Sequence, residues 1–245
     1  MRRKKLQGGD ETARDKTDWN NKKRRRIQDM KVIDFGKGFS GKIGGVVYYE
    51  MNGKLYARSA PRQRTREELE NVSETVKGIN RRFKVIQQLY SLYRKHVSPD
   101  IWRLAAKEQG KMAHNLFHSV NCGCLDGAGK MVSPELFRFS EGVLLLPRGL
   151  AVEALGGERY RVTWEEEREM ATAAGTDRLQ AGVLYDSNLL ALHTAVETSG
   201  RRRDGQGEFT LDTERGPKAH VYLYFAREDG TAYSPSQHFY VPEVS

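Results

Sequence analysis

Two things are scarce in this chain, and each scarcity excludes a class of protein. The 245 residues include only two cysteines, Cys122 and Cys124, which cannot form the disulfide framework of a small secreted domain. No apolar run approaches the roughly 18 residues that a membrane-spanning helix needs. The basic N-terminus also lacks the apolar stretch of a secretory signal. These absences predict a reducing, cytoplasmic setting and no membrane partner.

Complete catalytic motifs are also missing, although one segment resembles a phosphate-binding loop. Residues Gly36–Lys42 read G-x-x-x-x-G-K, but Ile43 stands where the motif requires Ser or Thr. Such a loop joins a strand to a helix whose first amides meet the phosphate. Here the glycines precede a strand-like run instead. A β-hairpin is therefore predicted, and an NTPase is not. No G-x-S-x-G nucleophile motif occurs either.

The hairpin signal is the dipeptide Asn52-Gly53 between the runs Val46–Met51 and Lys54–Ser59. Asn-Gly suits a two-residue type I′ turn, because both central residues need a positive φ. That turn pairs Tyr49 with Tyr56 across the strands. Both faces of the hairpin are largely apolar, so we expect it to pack between other elements.

Positive charge is concentrated at one end of the chain. Residues 1–29 hold eleven Lys and Arg against five Asp and Glu, so +6 of the net charge of +9 lies there. Few apolar residues accompany these charges, which predicts a disordered basic tail over residues 1–30. Its cluster Arg24, Arg25 and Arg26 is a candidate for nucleic-acid contact. The alternatives are a solvated tail, a localisation signal, or sequence upstream of the functional start at Met30.

A long helix is predicted after the hairpin. Thr65 and Glu68 form the pattern of a capping box. Apolar residues then recur at alternating steps of three and four, which is a heptad seam. The members of this seam are Leu69, Val72, Val76, Ile79, Phe83, Ile86, Tyr90, Tyr93 and Val97. From it we predict self-association through Val76, Ile79, Phe83 and Ile86. Arg81, Arg82 and Lys84 form a basic face, either for nucleic acid or simply solvated.

A second helix is predicted from Ser98 to Val120, antiparallel to the first because the link between them is short. On it, His114 and His118 lie one turn apart and precede Cys122. Imidazole and thiolate are zinc ligands, so these three are weak candidates for a metal site. The competing interpretation is two surface histidines and a thiol near a turn. We predict no metal, no cofactor and no catalytic residue.

Beyond residue 143 the pattern changes to short strands. Alternating apolar residues and turn signals predict about seven strands, the first at Val143–Leu146 and the last ending at Val241. This is typical of an antiparallel β-sandwich. Trp164, late in an early strand, resembles the core tryptophan of immunoglobulin-like and fibronectin type III-like domains. Without a disulfide, the fibronectin-like form fits better.

The order of these segments resembles a family of uncharacterised Bacteroidota proteins with a glycine-rich hairpin, a helical pair and a C-terminal sandwich. The resemblance rests on F-S-G-K-I-G-G-V-V-Y-Y, N-G-K-L-Y-A-R-S-A-P, Trp102 with Asn115-x-Phe117, and the strand motifs from Tyr160 to Ser234. The hairpin and helix are also similar to small proteins of phage and prophage regions. The chain departs from the family at Glu50-Met51 and in its basic extension. The family is a domain of unknown function and implies no activity.

The predicted fold class is therefore α+β, with three regions. Residues 1–30 are the basic tail, 31–140 the hairpin and antiparallel helical pair, and 141–245 an immunoglobulin/fibronectin type III-like β-sandwich. The predicted function is a non-enzymatic structural or interaction protein, with phage or mobile-element association implied by the resemblance. Its partner is another protein or a second copy. The alternative is a nucleic-acid-binding accessory protein that uses the basic arm and helix face.

Overall fold

The computed structural model describes residues 40–51, 53–166 and 168–242, and it shows an α+β protein with antiparallel sheets. The chain divides into two compact units, Met1–Asn71 and Val72–Ser245. The predicted tail and the first glycines of the phosphate-loop-like segment lie outside the described residues. No helix in the described part of the chain combines the length and the apolar character needed to cross a bilayer.

The first unit contains the predicted hairpin. Strands β1 (Gly41–Ile43), β2 (Val46–Met51) and β3 (Lys54–Ser59) form one antiparallel sheet in that order. Tyr49 pairs with Tyr56, as predicted, and their rings stack with centroids 5.6 Å apart. A strand, not a helix, therefore contains Lys42.

The expected burial of the hairpin is not provided by its own unit. Every residue of β3 is exposed, and Leu55 retains 60% of its accessible surface. Within the first unit, β3 is thus covered on neither face, although both faces carry apolar side chains. The apolar pattern identified a strand, but a pattern alone does not supply the second layer that would cover it.

The predicted long helix is two helices. The first, α1 (Arg66–Glu70), begins with the predicted capping box of Thr65 and Glu68 and ends at Asn71. The second, α2 (Glu74–His96), has its own N-cap, because the Ser73 hydroxyl accepts the Val76 amide at 3.4 Å. Serine favours such caps and disfavours helix interiors. The heptad seam is therefore interrupted at residues 71–73.

The predicted second helix is divided as well, into α3 (Ile101–Glu108) and α4 (Ala113–Asn121). Gly110 has φ +62 at the break. Its amide donates to the Lys107 carbonyl, and the Lys111 amide donates to the Ala106 carbonyl. These are the two hydrogen bonds of a Schellman motif, which ends a helix at a glycine.

Eight strands follow in the described part of the second unit, and they form two four-stranded antiparallel sheets. The strands are β4 (Ala151–Gly156), β5 (Arg159–Thr163), β6 (Arg178–Tyr185), β7 (Asn188–Thr194), β8 (Glu197–Ser199), β9 (Gln206–Thr210), β10 (Ala219–Ala226) and β11 (Gln237–Val241). The inner sheet has the order β11-β10-β6-β7, and the outer sheet has the order β4-β5-β9-β8.

The inner sheet is buried on both faces. One face packs against α2, α3 and α4 through Leu184, Tyr222 and Tyr224. The other packs against the outer sheet through a separate cluster that includes Val183 and Val221. Strands β6 and β10 are accordingly almost continuously apolar, because successive side chains enter different cores.

The helices and the sheets thus share a core, and this changes the predicted division of the chain. The predicted boundary near residue 140 falls inside the second unit, whereas the chain divides after Asn71. Phe137 and Phe139 lie at that predicted boundary and are almost fully buried between the helices and the inner sheet. A boundary should instead fall where few contacts cross.

The segment Val143–Leu146, predicted as a strand, is an irregular loop. The backbone of this loop hydrogen-bonds to a buried ion pair, because the Leu145 carbonyl accepts from Nη2 of Arg202 at 2.5 Å. Arg202 and Asp177 are 5% and 0% exposed, with Nε and Oδ2 3.3 Å apart. The Arg202 carbonyl also accepts the Trp164 indole N–H at 2.8 Å. Arg202, the middle residue of an Arg-Arg-Arg run, is therefore a core residue.

Candidate functional site

The N-terminal half of α2 carries an apolar stripe, which we define as Val76, Ile79 and Phe83. Their exposed fractions are 40%, 50% and 48%. Residues three and four apart share a helix face, so these three side chains form a continuous patch. The ring of Phe83 lies 5.0 Å from that of His118, which is half-buried on α4. The stripe therefore borders α4 but is not covered by it.

The C-terminal half of α2 behaves differently. Ile86 and Tyr93 are 0% exposed, and Tyr90 contacts Phe117 of α4 at 5.2 Å between ring centroids. Ile86 belongs to the core and cannot meet a second copy of the chain. The predicted self-association set is corrected to the three residues of the stripe.

In the N-terminal half of α2, the side of the helix that packs against the rest of the second unit carries a glycine. Gly78 is buried, and a Cβ atom there would lie 3.3 Å from the Gly127 carbonyl oxygen. The segment that approaches Gly78 so closely is the loop after α4. With this side occupied by backbone, the stripe is left facing outward.

The predicted basic face is only partly a single surface. At about 100° per residue, Lys77, Arg81 and Lys84 project from a different side of α2 than the stripe. Glu74 binds two of them, with 2.9 Å to Lys77 Nζ and 3.3 Å to Arg81 Nη2. These bonds also lower the pKa of the Glu74 carboxyl, the Lys77 hydrogen bond most. Arg82 projects elsewhere and is half-buried. The cluster Arg24, Arg25 and Arg26 lies outside the described residues.

The weak metal candidates are dispersed. His114 and His118 are half-buried on α4, and Cys122 follows the helix end. Across the described residues, no group of three or more His, Cys, Asp or Glu side chains is placed to hold an ion. Cys124 is buried, and its thiol donates to the Asn121 carbonyl at 2.8 Å. Burial raises the pKa of this thiol to about 12, which keeps it protonated and a poor nucleophile.

A second group of polar side chains was not predicted from the sequence. At one corner of the inner sheet, Asp186, His220 and His238 form a hydrogen-bonded chain. Asp186 Oδ1 lies 3.1 Å from His220 Nε2, and His220 Nδ1 lies 2.8 Å from His238 Nε2. The Tyr240 hydroxyl donates to the other Asp186 oxygen at 3.3 Å. Burial lowers the pKa of both histidines, so each ring is neutral near pH 7.

A cavity of about 390 Å³ lies at the His238 end of this chain. Its size is within the range of small-molecule sites. Arg138 is held at its wall, because Nη1 donates to the Ser236 carbonyl at 2.9 Å. The lining residues are Glu135, Leu136, Phe137, Arg138, Leu146, Ser236, Gln237 and His238.

No local sequence signal marks this chain of side chains. Asp186 follows β6, His220 is on β10 and His238 is on β11, so their contact depends on strand pairing. Alternation along β10 and β11 does place His220 and His238 on the same face of the sheet. Neither segment, however, contains a signal that determines which strands are neighbours.

None of the family models scanned and none of the curated proteins searched matches the chain.

Proposed function

We propose that this chain is a non-enzymatic interaction protein and that the stripe on α2 is its contact surface. The observation that carries the proposal is the exposure of Val76, Ile79 and Phe83, three large apolar residues on one helix face. Exposed apolar area costs free energy in water, roughly 25 cal/mol per Å², and is recovered on contact with a partner. Contiguous patches of this kind mark interaction sites more often than isolated apolar residues do.

A second copy of the chain is the partner we favour. Helical spacing puts uncharged Asn80 and Gln87 on one side of the stripe and half-buried Arg82 on the other. Lys77, Arg81 and Lys84 lie farther round the helix. Two stripes that meet along the side of Asn80 and Gln87 therefore do not bring like charges face to face. An antiparallel arrangement places Val76 of one copy near Phe83 of the other, with Ile79 close to the two-fold axis. Such an interface is self-complementary, as a two-fold dimer requires.

The size of the stripe limits the strength of this contact. Stable interfaces bury about 800 Å² per partner, which three half-exposed side chains do not reach alone. We therefore expect weak, concentration-dependent association.

Sedimentation velocity of the full chain over a wide concentration range tests the proposal. We expect a dimer that Phe83→Asp abolishes, because the substitution puts a charge into the apolar contact, opposite Val76 of the other copy. Lys84→Asp is the matched control, since it introduces the same side chain one residue away on the basic face and should leave the dimer intact. A monomer at every concentration, or equal effects of both variants, would refute self-association through the stripe.

For the scaffold, we propose an immunoglobulin/fibronectin type III-like sandwich. The strand order supports it: β4-β5-β9-β8 corresponds to strands A-B-E-D, and β11-β10-β6-β7 to G-F-C-C′. Trp164, just after β5, is buried against Phe225 of the facing sheet, with centroids 5.1 Å apart. Two details differ from antibody domains. Trp164 follows strand B, whereas their core tryptophan lies on strand C. The connection before β10 is held by Tyr185 of β6, whose hydroxyl accepts the Asp212 amide at 2.8 Å.

Nucleic-acid binding is the second candidate function, and the basic face of α2 is the observation that favours it. Lys77, Arg81 and Lys84 share that face, and phosphate contacts by such residues make affinity fall steeply with salt. A labelled DNA or RNA should bind at low salt and dissociate as salt rises. Lys84→Glu should weaken this binding, whereas Phe83→Asp should not. Removal of residues 1–29 then measures the contribution of the basic arm.

The family resemblance adds a biological setting to these proposals. Association with phage or mobile elements rests on that resemblance alone, and the contact surface does not depend on it.

A further inference from the structure

The chain of Asp186, His220 and His238 has a definite direction. An ionised carboxylate can only accept, so His220 must carry its proton on Nε2. Its Nδ1 then carries a lone pair, and the Nε2–H of His238 must donate to this atom at 2.8 Å. The remaining nitrogen, His238 Nδ1, is left as a bare acceptor. Both histidines are therefore Nε2–H tautomers, and the lone pair at the open end of the chain belongs to His238, which lines the cavity.

This direction makes His238 a site where positive charge can be created. When Nδ1 takes up a proton, His238 still donates through Nε2 to His220, which still donates to Asp186. No hydrogen bond breaks, and the new cation is linked through one imidazole to a carboxylate. Hydrogen bonding to the charged form favours that form, so the chain lowers the cost of protonation.

Other charged and titratable groups surround the pair. For His238, burial lowers the pKa most, the charge of His220 lowers it further, and the negative charge of Glu135 raises it less. For His220, Asp186 and then Glu135 raise the pKa, although burial outweighs them. Tyr240 and Tyr222 contribute rings at 4.9 Å from His220 and 5.3 Å from His238. Arg138 lines the same cavity as His238 and has Glu141 as an electrostatic neighbour. Protonation of His238 thus gives this cavity two cationic groups and one carboxylate on its wall.

We propose that this cavity binds a small oxyanion between Arg138 and His238, and that binding is coupled to uptake of one proton by His238. The anion takes N–H donors from the guanidinium and from protonated Nδ1, which are charge-assisted hydrogen bonds. Leu136 and Leu146 also line the cavity, so they can contact an apolar group attached to the anion. The inference is independent of the stripe on α2.

The pH dependence follows from the buried state of the histidines. Because burial lowers the pKa of His238, this side chain is mostly unprotonated near pH 7 when the cavity holds no ligand. An anion raises that pKa, so its affinity increases as the pH falls and becomes constant once His238 is protonated without ligand. The stability of the fold without ligand depends on pH in the opposite direction to the anion affinity. It loses stability as the pH falls below about 6.5, the unfolded value, because the unfolded chain binds these protons more readily.

Calorimetric titration of the full chain with sulfate tests the coupling, because sulfate does not titrate between pH 5.5 and 7.5. At constant ionic strength, we expect binding at least about fivefold tighter at pH 5.5 than at pH 7.5. Buffers of different ionisation heat should show proton uptake. Basic residues elsewhere also attract sulfate, so the signal is the difference between the chain and His238→Gln. Acetate, as a planar anion, distinguishes a carboxylate site from a tetrahedral one.

Four further variants separate the roles. Arg138→Gln should lose affinity at both pH values, and Arg138→Lys should restore part of it. Asp186→Asn should shift the binding transition to lower pH, because the chain then ends on a neutral group. His193→Gln is the control, since His193 on β7 contacts Arg215 and lies outside the cavity lining. Nitrogen-15 NMR of the imidazoles should show Nε2–H tautomers for His220 and His238, and a sulfate-dependent protonation of His238.

The proposal is overturned by sulfate affinity that does not change with pH, by pH-dependent binding that survives His238→Gln, or by an Nδ1–H tautomer of His238 in the folded chain.

Discussion

The two halves of α2 continue one apolar seam but have opposite environments. Ile79 and Ile86 are the same residue type, seven positions apart on the same helix face, yet one is 50% exposed and the other 0%. The C-terminal half packs against α4 and the inner sheet, whereas the N-terminal half packs its Gly78 side against the Gly127 loop and leaves the stripe exposed. The comparison shows that heptad spacing specifies a face, while the available neighbours decide whether that face is core or surface.

The largest expected change in stability comes from a substitution in the buried C-terminal half of α2. Ile86→Ala should lower the free energy of unfolding by about 2–5 kcal/mol, because it leaves a cavity among close-packed side chains. Ile79→Ala removes the same atoms from an exposed position and should change it by less than about 0.5 kcal/mol. Urea denaturation of both variants measures this contrast. Equal losses would mean that the stripe is also part of the core.

A smaller effect should come from the loop side of the N-terminal half. Gly78→Val puts a branched side chain where even a Cβ would lie 3.3 Å from a backbone oxygen. We expect a loss of about 1–3 kcal/mol from overpacking. Thr75→Val, at an exposed position of the same half, is the control with little steric change. Thermal unfolding of the two should differ clearly, and a neutral Gly78→Val would show that the loop moves away without cost.

The start of α2 should contribute about 1 kcal/mol through its cap. Ser73→Ala removes the hydroxyl that accepts the Val76 amide, and fraying should then begin in the half that carries the stripe. Ser91→Ala, at an exposed position inside the helix, should be neutral or slightly stabilising because alanine is the better helix former. Amide hydrogen exchange locates the change. Faster exchange confined to residues beyond Ile86 would contradict this account.

The smallest effect concerns the basic face. Glu74→Gln removes the partner of Lys77 and Arg81, whose exposed ion pairs contribute little to stability. The pKa of Glu74 is lowered in the fold, so its contribution is present above about pH 4.5 and is lost as the pH falls through the folded value. We expect a slight fall in Tm at pH 7 that disappears at high salt. A fall that persists in high salt would point to a packing role instead.

Several features were predictable because they depend on neighbours along the chain. The pairing of Tyr49 with Tyr56 follows from Asn52-Gly53, and the first helix begins with the capping box at Thr65. The breaks at Ser73 and Gly110 had readable signals too, a serine followed by Glu74 and a glycine in the loop between α3 and α4. The apolar period continues through both breaks, so periodicity alone predicts one uninterrupted helix at each place.

Other features were not predictable from local pattern. The fate of Ile86, the burial of Arg202 beside Asp177 and the shared core of helices and inner sheet all depend on residues far apart in sequence. The histidine chain is the clearest case, because its three members come from separate segments of the inner sheet. Periodicity says which side a residue faces, but not what lies opposite.

The sequence by itself determined the α+β character, the hairpin register and the first helix start, because turn and cap chemistry act over a few residues. Only the tertiary structure decided which part of the apolar seam is covered and which polar groups meet. Burial and hydrogen bonding depend on the distance between atoms in space, and for Ile79, His220 and His238 that distance is set by how whole strands and helices pack.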